Sequence, residues 1–302
     1  MFETVTSIVL NSVPLRSTRP TACMAASLLR RVSLALFLLL LAGCGQTAVA
    51  TPAPVAVTIA GSTEMHPVLS ALTAAYSQQH PNVLFTVRGG GSRLGERWLE
   101  SGRVDLAAST YFPRADEASA AIMRVPIGLD GVAVVVHADN KVADLTLAQL
   151  RDLYSGRILD WQDVGGQAGD VLLVSREDGS ATRTLFEERV MDAERVTLTA
   201  VVMPSSEDVV GYVATHPNAI GYVSRAYVMA DDPQGEDTAV RVVALEARLP
   251  TRQEIAAQSY SLTRPIFLLR RRSDTARSQP FIDFVLSPAG QEIVARYHAP
   301  IR

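Results

Sequence analysis

The chain has 302 residues, 48% hydrophobic and 20% charged, with a formal net charge of −3. Such a composition excludes a disordered or collagen-like chain, and its length suits one large domain or two lobes. The slight acidity gives no reason to expect a nucleic acid partner. The two cysteines, Cys23 and Cys44, both lie near the N-terminus, so the rest of the chain has neither a disulfide framework nor a thiolate metal site.

The first recognisable segment is a secretory signal. Arg30 and Arg31 precede an apolar run over 32–41 that only Ser33 interrupts. Such a run is too short to span the roughly 30 Å bilayer core and suits an h-region. Leu41-Ala42-Gly43-Cys44 follows and resembles the bacterial lipoprotein lipobox. That resemblance implies cleavage before Cys44 and lipidation of it, and two or three acyl chains anchor a protein stably. The alternative is an ordinary signal peptide with an incidental cysteine. Met24 opens a signal of normal length, so 1–23 is expected to be an upstream start and 1–43 the signal segment as a whole. Residues 44–54, small, polar and proline-bearing, read as a tether from membrane to domain.

Beyond the tether, strand and helix patterns alternate. Strands are predicted over 55–60, 83–87, 104–109, 131–137 and 171–175, and helices over 67–80, from Ser92 through Leu99, and over 145–156, 182–190, 206–216 and 280–296. Thr146 is the expected N-cap of the 145–156 helix and Gly156 its stop. This alternation predicts an α/β fold with a largely parallel sheet.

Three strand-to-helix loops share one chemistry. They are Gly61-Ser62-Thr63, Gly89-Gly90-Gly91-Ser92, and the stretch from Arg176 to Arg183 that contains Gly179-Ser180-Ala181-Thr182. Glycine permits close backbone approach, serine and threonine offer hydroxyls, and a helix start offers free N–H groups to an anion. Arg176 adds a planar charge suited to an oxyanion, with Asp178 placed to hold it. Any one loop alone reads more readily as a cap and a turn. Together they predict an anion site, if the fold brings them together.

The segments GSTEMHPVLSALTAAY, RGGGSRLGERWLESGRVDLAAS, LTLAQLRDLYSGRILDWQDVGG, VSREDGSATRTLFEERV, NAIGYVS and FIDFVLSPAGQEIV, in this order, resemble the phosphate-binding proteins of bacterial ABC transporters. The resemblance runs over essentially all of 55–300. It implies a two-lobed type 2 periplasmic binding protein fold of the α/β class, hinged on crossover strands and closing on phosphate. The first crossing is expected at 131–137 and the return between 224 and 264. One lobe would comprise 55–130 plus about 225–302, the other about 131–224.

Carried over residue by residue, the resemblance implies that Thr63 donates its hydroxyl, Glu64 its backbone N–H, and Ser92 both. Arg176 would make the charged contact, with Ser180, Ala181 and Thr182 donating at a helix start. Tyr111 stands where the family commonly has an Asp or Arg, which leaves the anion open between phosphate and another tetrahedral oxyanion. The side chain of Glu64 is expected to face solvent or an arginine, and Arg93 is a candidate partner or second positive contact.

The function so implied is an extracytoplasmic, membrane-anchored lipoprotein, a monomer, that captures inorganic phosphate and delivers it to ABC permease subunits. It would need no cofactor, no metal and no catalytic residue. An anion sensor presenting its closed form to a signalling partner is the alternative. A phosphoester hydrolase is disfavoured: no metal-ligand spacing links His66, His80, His137, His216 and His298, and no nucleophile elbow or P-loop occurs.

Overall fold

The structure, a computed structural model, describes residues 53–113, 119–228, 239–274 and 276–301, all within one compact unit, Pro52–Arg302. The signal segment, the lipobox with Cys44 and most of the expected tether lie outside the described residues.

Strand β1 (Val55–Gly61) runs parallel to β2 (Val83–Arg88) on one side and to β3 (Leu106–Ser109) on the other. Helix α1 (His66–Gln79) follows β1 with Pro67 in its first turn, where a missing N–H costs nothing. It buries Val68, Leu69, Leu72 and Tyr76, a stripe at helical spacing. Helix α2 (Ser92–Glu100) buries Ser92, Gly95 and Leu99. Gly95 packs directly on β1, and a Cβ there would meet the Ala60 carbonyl oxygen at 2.6 Å. Gly61 has φ of +141°, and a Cβ on it would meet the Ala108 oxygen at 2.0 Å. These two glycines let the ends of β1, α2 and β3 meet at backbone distance.

Strand β4 (Ile122–His137) is the spine of the molecule, sixteen residues long. Its first half pairs antiparallel with β10 (Thr263–Arg271), which in turn pairs antiparallel with β3. Its second half pairs antiparallel with β8 (Ala219–Ser224) and with β9 (Val240–Leu245), and β9 also pairs parallel with the two-residue β5 (Asp144–Leu145). Strand β6 (Leu172–Arg176) is parallel to β8 and to β7 (Val201–Met203). The sheet is therefore mixed, not largely parallel as the strand–helix alternation suggested. The expected 131–137 strand is the second half of β4.

Side chains of β4 alternate between separate cores. Val125 and Ile127 join Ile59, Leu69, Leu72, Phe281 and Val294. Val132, Val134 and Val136 join Leu150, Tyr154, Phe186 and Tyr222, whereas Ala133 and Val135 pack on Val209 and Val213. A strand buried on both faces reads as a continuous apolar run, which explains GVAVVVH. Residues 240–262, grouped with 55–130 in the sequence reading, add Val243, Leu245, Ile255, Tyr260 and Leu262 to the core around Val132 and Val134.

Helix α3 (Leu147–Ser155) starts at a full capping box of Thr146 and Gln149 and ends at Gly156 in the left-handed region. Helix α4 (Ala181–Phe186) passes into a π-helical turn, Glu187–Met191, where a plain helix was expected. Helix α5 is Ser206–Thr215 and α6 is Arg252–Ala256. The expected 280–296 helix is two helices, α7 (Gln279–Leu286) and α8 (Pro288–Tyr297). Ser287 separates them because the residue before a proline is pushed out of the helical region.

Candidate functional site

The three loops converge. Thr63–Met65 forms a single 3₁₀ turn between β1 and α1, and it buries Glu64. The glycine loop delivers Ser92 to the start of α2, and Gly91 donates its N–H to the Gly61 carbonyl at 3.0 Å. The third loop abuts the second, since a Cβ on Gly91 would lie 3.7 Å from the Gly179 oxygen.

At the meeting point sits the carboxylate of Glu64, 2% exposed. Its Oε1 accepts from Arg176 Nη1 at 2.9 Å and from the Thr182 hydroxyl at 2.9 Å. Its Oε2 accepts from the Ser62 hydroxyl. The donors thus come from the ends of β1 and β6 and the start of α4, and they close around a negatively charged group in a dry place. Burial works to raise the Glu64 pKa. The charges of Arg264 and Arg176, with the Ser62 hydroxyl, outweigh it and hold the carboxyl below its usual range.

Arg176 is itself almost fully buried, at 1%. Besides Glu64, it reaches Ser206 Oγ at 3.1 Å through Nη1, and Glu177 at 2.9 and 3.1 Å through Nε and Nη2. Asp178, expected to hold this guanidinium, instead pairs with Arg183 at 2.7 Å and is exposed. Geometry accounts for the difference: Arg176 ends β6 with its side chain inward, whereas Asp178 sits on the outer side of the turn.

The remaining sequence-derived residues surround this centre. Ser92 is buried, and its hydroxyl accepts from the Thr110 N–H at 3.1 Å. Thr110 Oγ1 lies 3.5 Å from Ser92 Oγ and 3.4 Å from Ser62 Oγ, which links the first two loops through hydroxyls. Thr63 offers its carbonyl to the Tyr227 hydroxyl at 2.7 Å. Ser180 caps α4 by accepting from the Arg183 N–H at 3.4 Å, and Ala181 is buried beside it. Tyr111 lies half-buried beside a cavity of about 420 Å³ that Thr110, Ala181 and Arg264 also border. Its hydroxyl accepts from Arg93 Nη2 at 3.0 Å, and the Arg93 guanidinium lies 4.3 Å from the ring centroid. Arg93 therefore serves Tyr111, and Arg176 is the arginine that Glu64 faces.

Sequence reasoning missed a second buried charge pair. Arg264 on β10 lies opposite Asp130 on β4 in the antiparallel register. Its Nη2 bonds Asp130 Oδ2 at 2.9 Å and the Thr182 hydroxyl at 3.0 Å. Asp130 Oδ1 accepts from Ser224 Oγ at 2.8 Å and faces His298 Nδ1 at 3.2 Å. Burial opposes ionisation of Asp130, yet the Arg264 charge and the His298 contact prevail and lower its pKa to about 2. Thr110 and Ser206 were missed as well, whereas Ser62 stood in the first loop without a role of its own. Only Ser206 carried a local signal, as the first residue of a helix.

A PBP superfamily domain model matches residues 48–289. The chain is 25% identical over 232 residues to the phosphate-binding protein PstS of Bacillus subtilis, across 76% of this chain and 75% of that one. Among solved structures it is similar to a Clostridium perfringens protein with bound phosphate, assigned by name as a phosphate ABC transporter substrate-binding protein. The TM-score is 0.76 and the identity 33%, over 82% of this chain and all of that one. An ABC-type phosphate transport receptor from Vibrio cholerae aligns with TM-score 0.64 and 30% identity, over 80% and 98% of the two chains. With its three donor loops, its mixed sheet on a long shared strand and these relatives, the chain belongs to the PBP superfamily, among the PstS-like substrate-binding proteins of the type 2 periplasmic binding protein fold.

Proposed function

We propose that this protein is an extracytoplasmic solute-binding lipoprotein that captures inorganic phosphate and hands it to the permease of an ABC transporter, without turnover. One observation carries the reading: Arg176, Thr182 and Ser62 close in a buried place around a carboxylate, a group with the charge and donor needs of an oxyanion. The relatives named for phosphate supply the identity of the anion. Its ligands would be the hydroxyls of Thr63, Ser92, Ser180 and Thr182, the amides of Glu64 and Ala181, and the Arg176 guanidinium, with Tyr111 at the rim.

In this reading 55–130 with most of 225–302 forms one lobe and 131–224 the other. They hinge where β4 and β10 pass between the cores, and ligand shifts the balance toward the closed form. Cys44 would carry the lipid, and the protein would act as a monomer on the outer face of the membrane. Calorimetric titration with phosphate and with sulfate tests the binding. Phosphate binding that R176A abolishes is expected, and absent phosphate binding would sink the reading.

A second tetrahedral oxyanion is kept open by Tyr111, whose hydroxyl can both donate and accept a hydrogen bond. Equal heats with phosphate and sulfate in the same titration would favour it.

A further inference from the structure

Arg264 makes an uneven set of hydrogen bonds for a residue 4% exposed. Nε and Nη2 both donate to a single oxygen of Asp130, Oδ2, at 3.1 and 2.9 Å. The other oxygen is taken by Ser224 and faces His298. An arginine that served only Asp130 would present its fork to both oxygens. Instead the rest of the guanidinium turns toward Thr182, to which Nη2 also donates, and the Thr182 hydroxyl in turn donates to Glu64. Nη1 is buried and has no hydrogen-bond partner among the described residues. A cationic nitrogen with two unmade hydrogen bonds is costly to bury and calls for an acceptor. Arg264 as a residue also borders the cavity lined by Thr110 and Ala181.

We propose that Arg264 is a second cationic binding residue, whose Nη1 donates directly to an oxygen of the bound phosphate. The proposal rests on the phosphate reading above. It gives the anion one arginine from each side: Arg176 from β6, which β8 joins to the second half of β4, and Arg264 from β10, which pairs with the first. The charges of Arg264 and Arg176 together hold the Glu64 carboxyl, lying among these donors, below its usual range. Two guanidinium groups suit the two charges of hydrogen phosphate.

The test must separate binding from the structural pairing with Asp130. Wild type, R264K, R264Q and the charge-balanced double variant D130N/R264Q are titrated calorimetrically with inorganic phosphate, and each is melted without it. Phosphate binding is expected to weaken about tenfold in R264K and about 100-fold in R264Q. The double variant is expected to regain melting temperature relative to R264Q without regaining affinity. In the wild-type protein labelled with ¹⁵N-arginine, the Arg264 side-chain resonance, identified by its loss in R264K, is expected to shift during the same titration. With R264K folded for that assignment, this readout holds even where R264Q or the double variant fails to fold. Wild type that binds phosphate while its Arg264 resonance stays put, or a folded double variant that binds as tightly as wild type, overturns this proposal alone. Wild type that does not bind phosphate overturns the underlying reading, and this one with it.

Discussion

At the scale of single residues, Glu64 presents a conflict that decides how the site behaves. Its carboxylate engages Arg176 Nη1 and the Thr182 hydroxyl, two donors that an incoming anion would need. Like charges in a dry site repel strongly, so the carboxylate competes with the ligand. E64Q keeps the backbone N–H and removes that competition. We expect it to bind phosphate about tenfold more tightly, which corresponds to about 1.4 kcal/mol. Calorimetry reads this directly, and weaker binding would sink the competitive view. Asp130 yields a second expectation. Its folded pKa of about 2 lies below the ordinary value of 3.8, so its contribution to stability is complete above pH 4 and fades as pH falls toward 2. The span corresponds to about 2 kcal/mol. Urea unfolding of wild type should show that loss between pH 4 and pH 2, and D130N should show a flatter profile over the same window. At this scale the sequence was informative only where function is written locally. Glu64, Arg176 and Thr182 stood in loops with recognisable composition. Arg264 and Asp130 did not, because they are 134 positions apart and only the strand register brings them together.

At the scale of elements, what positions the donors is close packing between short pieces. Helix α2 brings Ser92 to the site only because Gly95 lets it lie on β1. G95A places a methyl 2.6 Å from the Ala60 oxygen and from Gly61 Cα, both backbone atoms that cannot easily give way. The expected result is a loss of about 2 kcal/mol in stability together with weaker phosphate binding, because α2 must retreat from β1. T146A is the matching control. It removes the capping box of α3, away from the site, and should cost about 1 kcal/mol in chemical unfolding while leaving phosphate affinity unchanged. Elements with local punctuation, such as the capped α3 and the Pro67-led α1, were legible in the sequence. The first half of β4 was not. Pro126, Gly128 and Asp130 are residue types that strands disfavour, yet Pro126 sits beside a register shift between Ile266 and Phe267, where a missing N–H is tolerated. The antiparallel centre of the sheet was lost with it, because alternation of strand and helix says nothing of strands that return.

At the scale of the whole molecule, β4 runs through both of the proposed halves. Val125 and Ile127 lie in one core and Val132 to Val136 in others, while Asp130 ties β10, Ser224 and His298 at the junction. Binding at that junction should tighten the molecule as a unit. At phosphate one hundred times its Kd, linkage supplies about 2.7 kcal/mol. For a chain of this size that is about 5–10 °C in melting temperature. Differential scanning calorimetry with and without phosphate measures it, and small-angle scattering should show a smaller radius of gyration with phosphate. A melting temperature that ignores phosphate would count against binding between the halves. The attachment of 240–262 to the Val132 core was not legible in the sequence, since β9 finds its place only by pairing with β4.

The lip of the cavity offers a practical handle. Phe112 is 69% exposed and borders the same cavity as Tyr111 and Arg264. Cys23 and Cys44 are the protein's only thiols, and both lie ahead of the described residues. With both replaced by serine, F112C would carry the sole reactive sulfur, at a spot already open to solvent. An environment-sensitive dye coupled there should change brightness when the cavity changes shape, and the protein would become its own optical gauge of dissolved anion.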